Sequence, residues 1–136
     1  MTTTAIMPPV PVPNPHTQPY WDALAEGRLE LCRCDDTGHW IHPPLERSPH
    51  TGGPVHFEEI SGEGTIYSFV VVRQALIPGR LAPYVIALVD IAEEEGVRLS
   101  AYVDVDPAEV EIGQRVRARI VDLGDTGFKV PIFEPA

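Results

Sequence analysis

From residue 64 onward, apolar residues gather in short β-branched or aromatic-rich runs: GTIYSFVVVRQ (64–74), YVIALVDIA (84–92), VRLSAYVDV (97–105), QRVRARIVDL (114–123) and FKVPIF (128–133). In the fourth run Val116, Ala118 and Ile120 alternate with Arg115, Arg117 and Arg119, the period of two expected of a strand with one buried face. The runs are separated by IPGRLAP, EEEG, DPAEVEIG and GDTG, which are rich in turn residues. Five strands, with the one helix-like linker (DPAEV) between the third and fourth, match the order of a five-stranded Greek-key barrel of the OB type. The fold class expected is therefore all-β with a short N-terminal helix.

That helix is read from TQPYWDALAEG (17–27). Pro19 sits in its first turn, helix-favouring residues follow, and Gly27 supplies a left-handed stop. Tyr20, Trp21 and Leu24 share one apolar face. A helix this short needs that face covered, either by its own domain or by another protein, since Tyr and Trp are favoured at interfaces.

Between the helix and the barrel, residues 28–57 hold both cysteines, four of the five histidines (His39, His42, His50, His56), four prolines and three glycines. So turn-rich a module has too few apolar residues for its own core and depends on a metal or a neighbouring domain. Three units are expected: an extended Pro-rich arm (1–16), a helix plus ribbon module (17–57) and a barrel (58–136). The arm carries PPVPVPNP, which lacks regular backbone donors; it either hangs free or lies as a strap on this or a partner's surface.

Composition narrows the function. Twenty acidic against ten basic residues, a net charge of −10, argue against a nucleic-acid or anionic-membrane surface. Cys32 and Cys34, one residue apart, exclude a disulfide scaffold. The N-terminus has no leader pattern and no apolar run reaches bilayer length, so a cytoplasmic, soluble protein is the expectation.

Two metal readings compete around Cys34. A zinc ribbon needs two C-x-x-C knuckles. Here the knuckle positions read Cys34-x-x-Thr37 and Ser48-x-x-Thr51, each followed by glycine, so three of four thiolates have become hydroxyls, which are poor zinc ligands. Cys34 is then a residual ligand position in a ribbon without metal. The rival set, Cys32, Cys34, His39 and His42, is chemically acceptable for zinc but tightly spaced.

Catalytic groups do not assemble. Ser61, Ser68 and Ser100 lie in or beside strands without a nucleophile-elbow pattern. The glycines of SGEGT (61–65) lack the spacing and lysine of a phosphate loop and suit a bent strand entry with close backbone approach. Glu93, Glu94 and Glu95 read as solvated hairpin charge. Arg115, Arg117 and Arg119, about 7 Å apart on one strand face, suit CoA phosphates or an acidic partner; equally, they suit a solvated face paired with carboxylates such as Asp104 and Glu111.

The ordered series of a Pro-rich start, a Tyr-Trp helix ending in EGRL, a knuckle segment containing HPP, then SGEGTIYSFVVV, PYVIALVDI, DPAEVEIGQRV and VPIFEP resembles the zinc-ribbon-containing OB-fold family first catalogued as domain of unknown function number thirty-five. The likeness covers residues 13–135. Cys34, Gly38, Pro43, Pro44, Pro49 and Gly52 keep that family's pattern; Thr37, Ser48 and Thr51 depart from it. The resemblance implies a rubredoxin-like ribbon, here metal-free, before the barrel. It also implies a non-catalytic companion, in a hetero-oligomer, of thiolase-like proteins, lipid-transfer-protein-like aldolases of steroid degradation, or enoyl-CoA hydratases acting on acyl-CoA. Tyr20, Trp21, Trp40 and Ile41 are the candidate interface. The alternative is a free-standing OB-fold module for acyl-CoA or another small ligand.

Overall fold

The computed structural model describes residues 9–74 and 81–136. The predicted arm and the first interstrand linker therefore lie partly outside the described residues. In chain order the elements are α1 (Gln18–Ala25), β1 (Glu30–Cys34), β2 (Trp40–Ile41), β3 (Val55–Glu59), β4 (Glu63–Val72), β5 (Tyr84–Ile91), β6 (Arg98–Val103), β7 (Arg115–Asp122) and β8 (Lys129–Pro135).

Strands β4 to β8 form a closed barrel in the order β4-β5-β6-β8-β7. Closure depends on two short contacts: β6 meets β8 in parallel at Val103 and Phe133, and β7 returns to β4 through Arg115–Arg117 against Glu63–Thr65. The alternation along β7 is as the pattern predicts, with Val116 fully buried and Arg115, Arg117 and Arg119 exposed. Glycine sets the tight entry to β4. A Cβ at Gly64 would stand 2.5 Å from Val89 Cγ1 and 2.7 Å from the Asp90 carbonyl oxygen, so only the bare backbone fits between β4 and β5.

The linker between β6 and β7 corrects one expectation. DPAEV is a turn rather than a helix: the Asp106 carboxylate accepts a hydrogen bond from the Ala108 amide (2.9 Å), and the Glu109 amide donates to the Asp106 carbonyl (2.8 Å). An aspartate ahead of proline satisfies the local backbone itself, and Val110 after it is buried in the core.

Ahead of the barrel, β1 to β3 make a three-stranded antiparallel sheet in the order β2-β1-β3. A small cluster of Cys32, Cys34 and Ile41, flanked by Val55 and Phe57, fills one side. Leu29, Leu31 and Trp40 instead join Leu24 of α1 and the barrel residues Ile66, Val89, Val116 and Phe133 in one continuous core. Each such buried aliphatic or aromatic side chain contributes about 1.5–3 kcal/mol through burial. The ribbon therefore borrows its core from the barrel, the solution available to a module too poor in apolar residues to build one alone.

Helix α1 is held at its start by Asn14, whose side-chain oxygen accepts from the amides of His16 (2.9 Å) and Thr17 (3.0 Å). It ends as the sequence suggests, with Gly27 at φ +84° and the Arg28 amide donating to the Ala23 carbonyl. Leu24 is wholly buried, so the helix covers its apolar face largely with its own chain. Upstream, Val10 and Val12 are exposed, so this part of the arm does not strap onto the chain's own surface.

Candidate functional site

The two knuckles are built as the Gly positions require. Gly38 (φ +78°) and Gly52 (φ +73°) each turn left-handed, with the Gly38 amide donating to the Cys34 carbonyl (2.9 Å) and the Gly52 amide to the Ser48 carbonyl (2.8 Å). Within each knuckle the side chains at ligand positions accept backbone amides two residues on. His39 N–H donates to Thr37 Oγ1 (3.2 Å), His50 N–H to Ser48 Oγ (3.1 Å) and Gly53 N–H to Thr51 Oγ1 (3.1 Å). Cys34 Sγ takes the fourth equivalent place, accepting from the Asp36 and Thr37 amides.

The knuckles are also joined to each other. Thr51 Oγ1 lies 3.9 Å from Cys34 Sγ and donates to Asp36 Oδ2 (2.8 Å). The Ser48 and Thr37 hydroxyls beside the sulfur pull the Cys34 thiol down to about 6. Ser48 is the one buried polar residue among the described residues. Its hydroxyl oxygen has its partner in the His50 amide, as a buried hydroxyl requires.

The rival ligand set is not brought together. Cys32 is buried and its thiol is pushed up, chiefly by desolvation. His39 faces Glu94 across 3.3 Å and stacks on His50 at 4.5 Å, whereas His42 tilts toward Tyr20 and is held below its ordinary value by burial. Among the described residues, no group of three or more His, Cys, Asp or Glu side chains is placed to hold a metal ion.

The expected interface residues divide. Trp40 and Ile41 are not surface anchors: each is only 5% exposed, Trp40 in the main core and Ile41 in the ribbon cluster. Arg33 lies over the Trp40 ring at 4.6 Å, and the Trp40 amide donates to Glu94 Oε1 at 3.1 Å. That contact also corrects the reading of the acidic hairpin as solvated charge. Glu94 fastens β2 to the barrel, and Glu93 Oε2 accepts from the Ser61 amide at 2.6 Å.

Tyr20 and Trp21 are half-buried and do border open space. Trp21 packs edge-on against Phe128 (5.6 Å) and Tyr20 edge-on against Trp21 (5.1 Å). Burial pushes the Tyr20 hydroxyl up to about 12. Between α1 and the barrel they line a mostly apolar groove of about 320 Å³ with Ile86, Ser100, Tyr102 and Val130. Nothing in the isolated sequence signals this groove, because its far wall comes from β5, β6 and β8.

The arginine face is already engaged in part. Arg119 pairs with Asp104 (3.4 Å) and Glu134 (3.3 Å), while Arg117 stands opposite Glu63 and Glu134 in the strand ladders. Glu111 instead accepts no bond from this face; its amide is taken by Gln114. Ser61, Ser68 and Ser100 stand apart, at the entry to β4, on β4 and on β6.

Comparison with known proteins follows this division of the chain. Residues 21–50 match the model of the ChsH2 rubredoxin-like zinc ribbon domain, and residues 57–121 that of the ChsH2 C-terminal OB-fold domain. The structure superposes on a chain of the "Ltp2-ChsH2(DUF35) aldolase" with a TM-score of 0.84 and 31% identity, covering 92% of this chain and 98% of that one. The chain belongs to the DUF35 family. A DUF35-family protein of unknown function from Sulfolobus solfataricus shares the fold, with a TM-score of 0.63 and 16% identity over 90% of this chain and 87% of that one.

Among curated relatives of this DUF35 chain, the 3-oxo-4,17-pregnadiene-20-carboxyl-CoA hydratase alpha subunit of Mycobacterium tuberculosis is 40% identical over 78% of the chain. A probable enoyl-CoA hydratase alpha subunit of Thermomonospora curvata is 32% identical over 94%. A DUF35 domain-containing scaffold protein of Methanothermobacter thermautotrophicus is 35% identical over 62% of the chain and 65% of its own length. The chain spans only 34% and 40% of the two hydratase subunits. The family match names a zinc ribbon, yet the donor set here, one thiol and three hydroxyls, does not suit zinc.

Proposed function

We propose that this chain is a non-catalytic accessory subunit that binds and stabilises a thiolase-like aldolase or an enoyl-CoA hydratase acting on acyl-CoA, in steroid side-chain or other lipid catabolism, and that it does so without a bound cofactor. The observation carrying this reading is the near-complete superposition on the DUF35 chain of an aldolase assembly, 98% of that chain at a TM-score of 0.84. The names of the relatives, hydratase alpha subunits and a scaffold protein, support the same class of role. The lack of an assembled nucleophile, base and orienting acid among the described residues fits a supporting subunit.

The groove beside Tyr20 and Trp21 supports a contact with the enzyme there, since aromatic side chains frame an apolar opening of the kind that receives a partner's anchoring side chain. The test uses Ser100→Trp, because Ser100 is exposed on the groove rim and its replacement fills the opening without disturbing the core. In pulldowns with the thiolase-like, aldolase and hydratase proteins of its own organism, the unaltered chain should capture one of them. Ser100→Trp should lose that capture at an unchanged melting temperature. Capture at full strength by the variant would remove the groove from the interface.

A further inference from the structure

The ribbon's backbone is a complete metal cradle whose ligand atoms alone have changed. Four side chains at the two knuckles, Cys34, Thr37, Ser48 and Thr51, each accept the amide hydrogens that knuckle turns direct at ligand atoms, and both knuckle glycines keep their left-handed turns. In a metal ribbon the ion ties one knuckle to the other. Here that tie is made by side chains: Thr51 in the second knuckle donates to Asp36 Oδ2 in the first (2.8 Å) and lies 3.9 Å from Cys34 Sγ. The second support, a core of its own, is supplied by the barrel through Leu29, Leu31 and Trp40.

We infer that a side-chain link through Thr51, Asp36 and Cys34 has replaced zinc as the tie between the knuckles, and that the cradle is dormant: the three substitutions Thr37→Cys, Ser48→Cys and Thr51→Cys convert it into a four-thiolate zinc site. The inference concerns the ribbon alone and stands whether or not the chain proves to be an accessory subunit. Neutral hydroxyls compete poorly with water for zinc, so one cysteine among three of them holds no ion tightly. Four thiolates at this spacing hold it very tightly, and such sites contribute directly to folding.

The experiment uses the full chain, produced in zinc-supplemented medium, exchanged into buffer with a weak chelator, and assayed by plasma mass spectrometry and thermal melting. The natural sequence should carry far less than one zinc per chain and melt at the same temperature with or without a strong chelator. The triple variant should carry about one zinc per chain and melt higher until a strong chelator removes it. Cobalt loading should give the visible absorption of a tetrahedral thiolate site in the variant alone. Stoichiometric zinc in the natural sequence would overturn the inference, whichever residues hold it, as would a folded triple variant that binds none.

Should the triple variant fail to fold, Cys34→Ser and Cys34→Ala decide. Serine keeps an acceptor for the neighbouring hydroxyls and should lie closer to the natural chain in melting temperature than alanine does. Equal loss in both, with chelator sensitivity in the natural chain, would return the role to a metal.

Discussion

Replacing Glu94 with alanine removes the acceptor that ties the ribbon to the barrel. Glu94 lies in the hairpin after β5, 54 positions from Trp40, yet its Oε1 receives the part-buried Trp40 amide at 3.1 Å, and both its oxygens lie 3.3 Å from His39 Nδ1. Without it the Trp40 amide is left without its partner beside a side chain only 5% exposed. Leaving such a donor unmet costs about 1–3 kcal/mol. The half-exposed His39 contact adds about 0–1 kcal/mol at most. At about 3–5 °C per kcal/mol for a chain of this size, the melting temperature should fall by roughly 3–20 °C. Thermal and urea unfolding followed by tryptophan fluorescence would measure this, with hydrogen exchange at the Trp40 amide reporting the bond itself. Glu94→Gln keeps a neutral acceptor oxygen and should recover most of the loss, and Glu95→Ala, at an exposed position of the same turn, should change nothing. The reasoning is refuted if Glu94→Ala melts with the natural chain and its Trp40 amide remains equally protected.

Other expected outcomes follow from the same structure. Gly64→Ala should destabilise by about 1–3 kcal/mol or more, because the added carbon meets the Asp90 backbone oxygen, which cannot swing aside; chemical denaturation measures it. His56, held between the Asp35 and Glu58 carboxylates, is raised above its ordinary 6.5, so its contribution is complete below that pH and is lost as pH rises through the raised value. Glu58, lowered from 4.5 by His56 and Arg33, contributes above that pH and loses its contribution as pH falls through the lowered value. Asp35→Asn should therefore bring the His56 titration, read by proton NMR, back toward 6.5; an unmoved titration would show that the pair does not form in solution. Replacing Arg115, Arg117 and Arg119 together with Gln should leave the barrel folded, and isothermal titration with CoA should give the same result before and after if this face is solvated surface. A loss of CoA or partner affinity would instead assign the face to binding.

The barrel was legible because its strands are punctuated by Gly, Pro and acidic turns and because β7 alternates strictly, features written within a few residues of one another. Gly64 was legible for the same local reason. Trp40 and Ile41 read as surface because they sit in a His- and Pro-rich stretch; their burial is decided by Leu29, Leu31 and a hairpin glutamate far along the chain. Glu94 reads as solvated for a similar reason, since a run of three glutamates beside glycine carries no local sign that one of them caps a distant backbone amide. The groove beside Tyr20 and Trp21 is a property of strand order, assembled from β5, β6 and β8 against α1. In the ribbon, spacing alone located the four knuckle positions. The tie between the knuckles needed the approach of Thr51 to Asp36 and Cys34, which spacing does not contain.

The central claim, that this DUF35 chain serves as the supporting subunit of an acyl-CoA enzyme, is tested most directly by co-expressing it with each thiolase-like, aldolase and hydratase protein of its organism and measuring mass by light scattering during size-exclusion chromatography. One enzyme should co-elute with it as a complex of defined mass, and should lose stability or solubility when produced alone. Separate elution from every one of them, each enzyme stable and active without it, would contradict the claim.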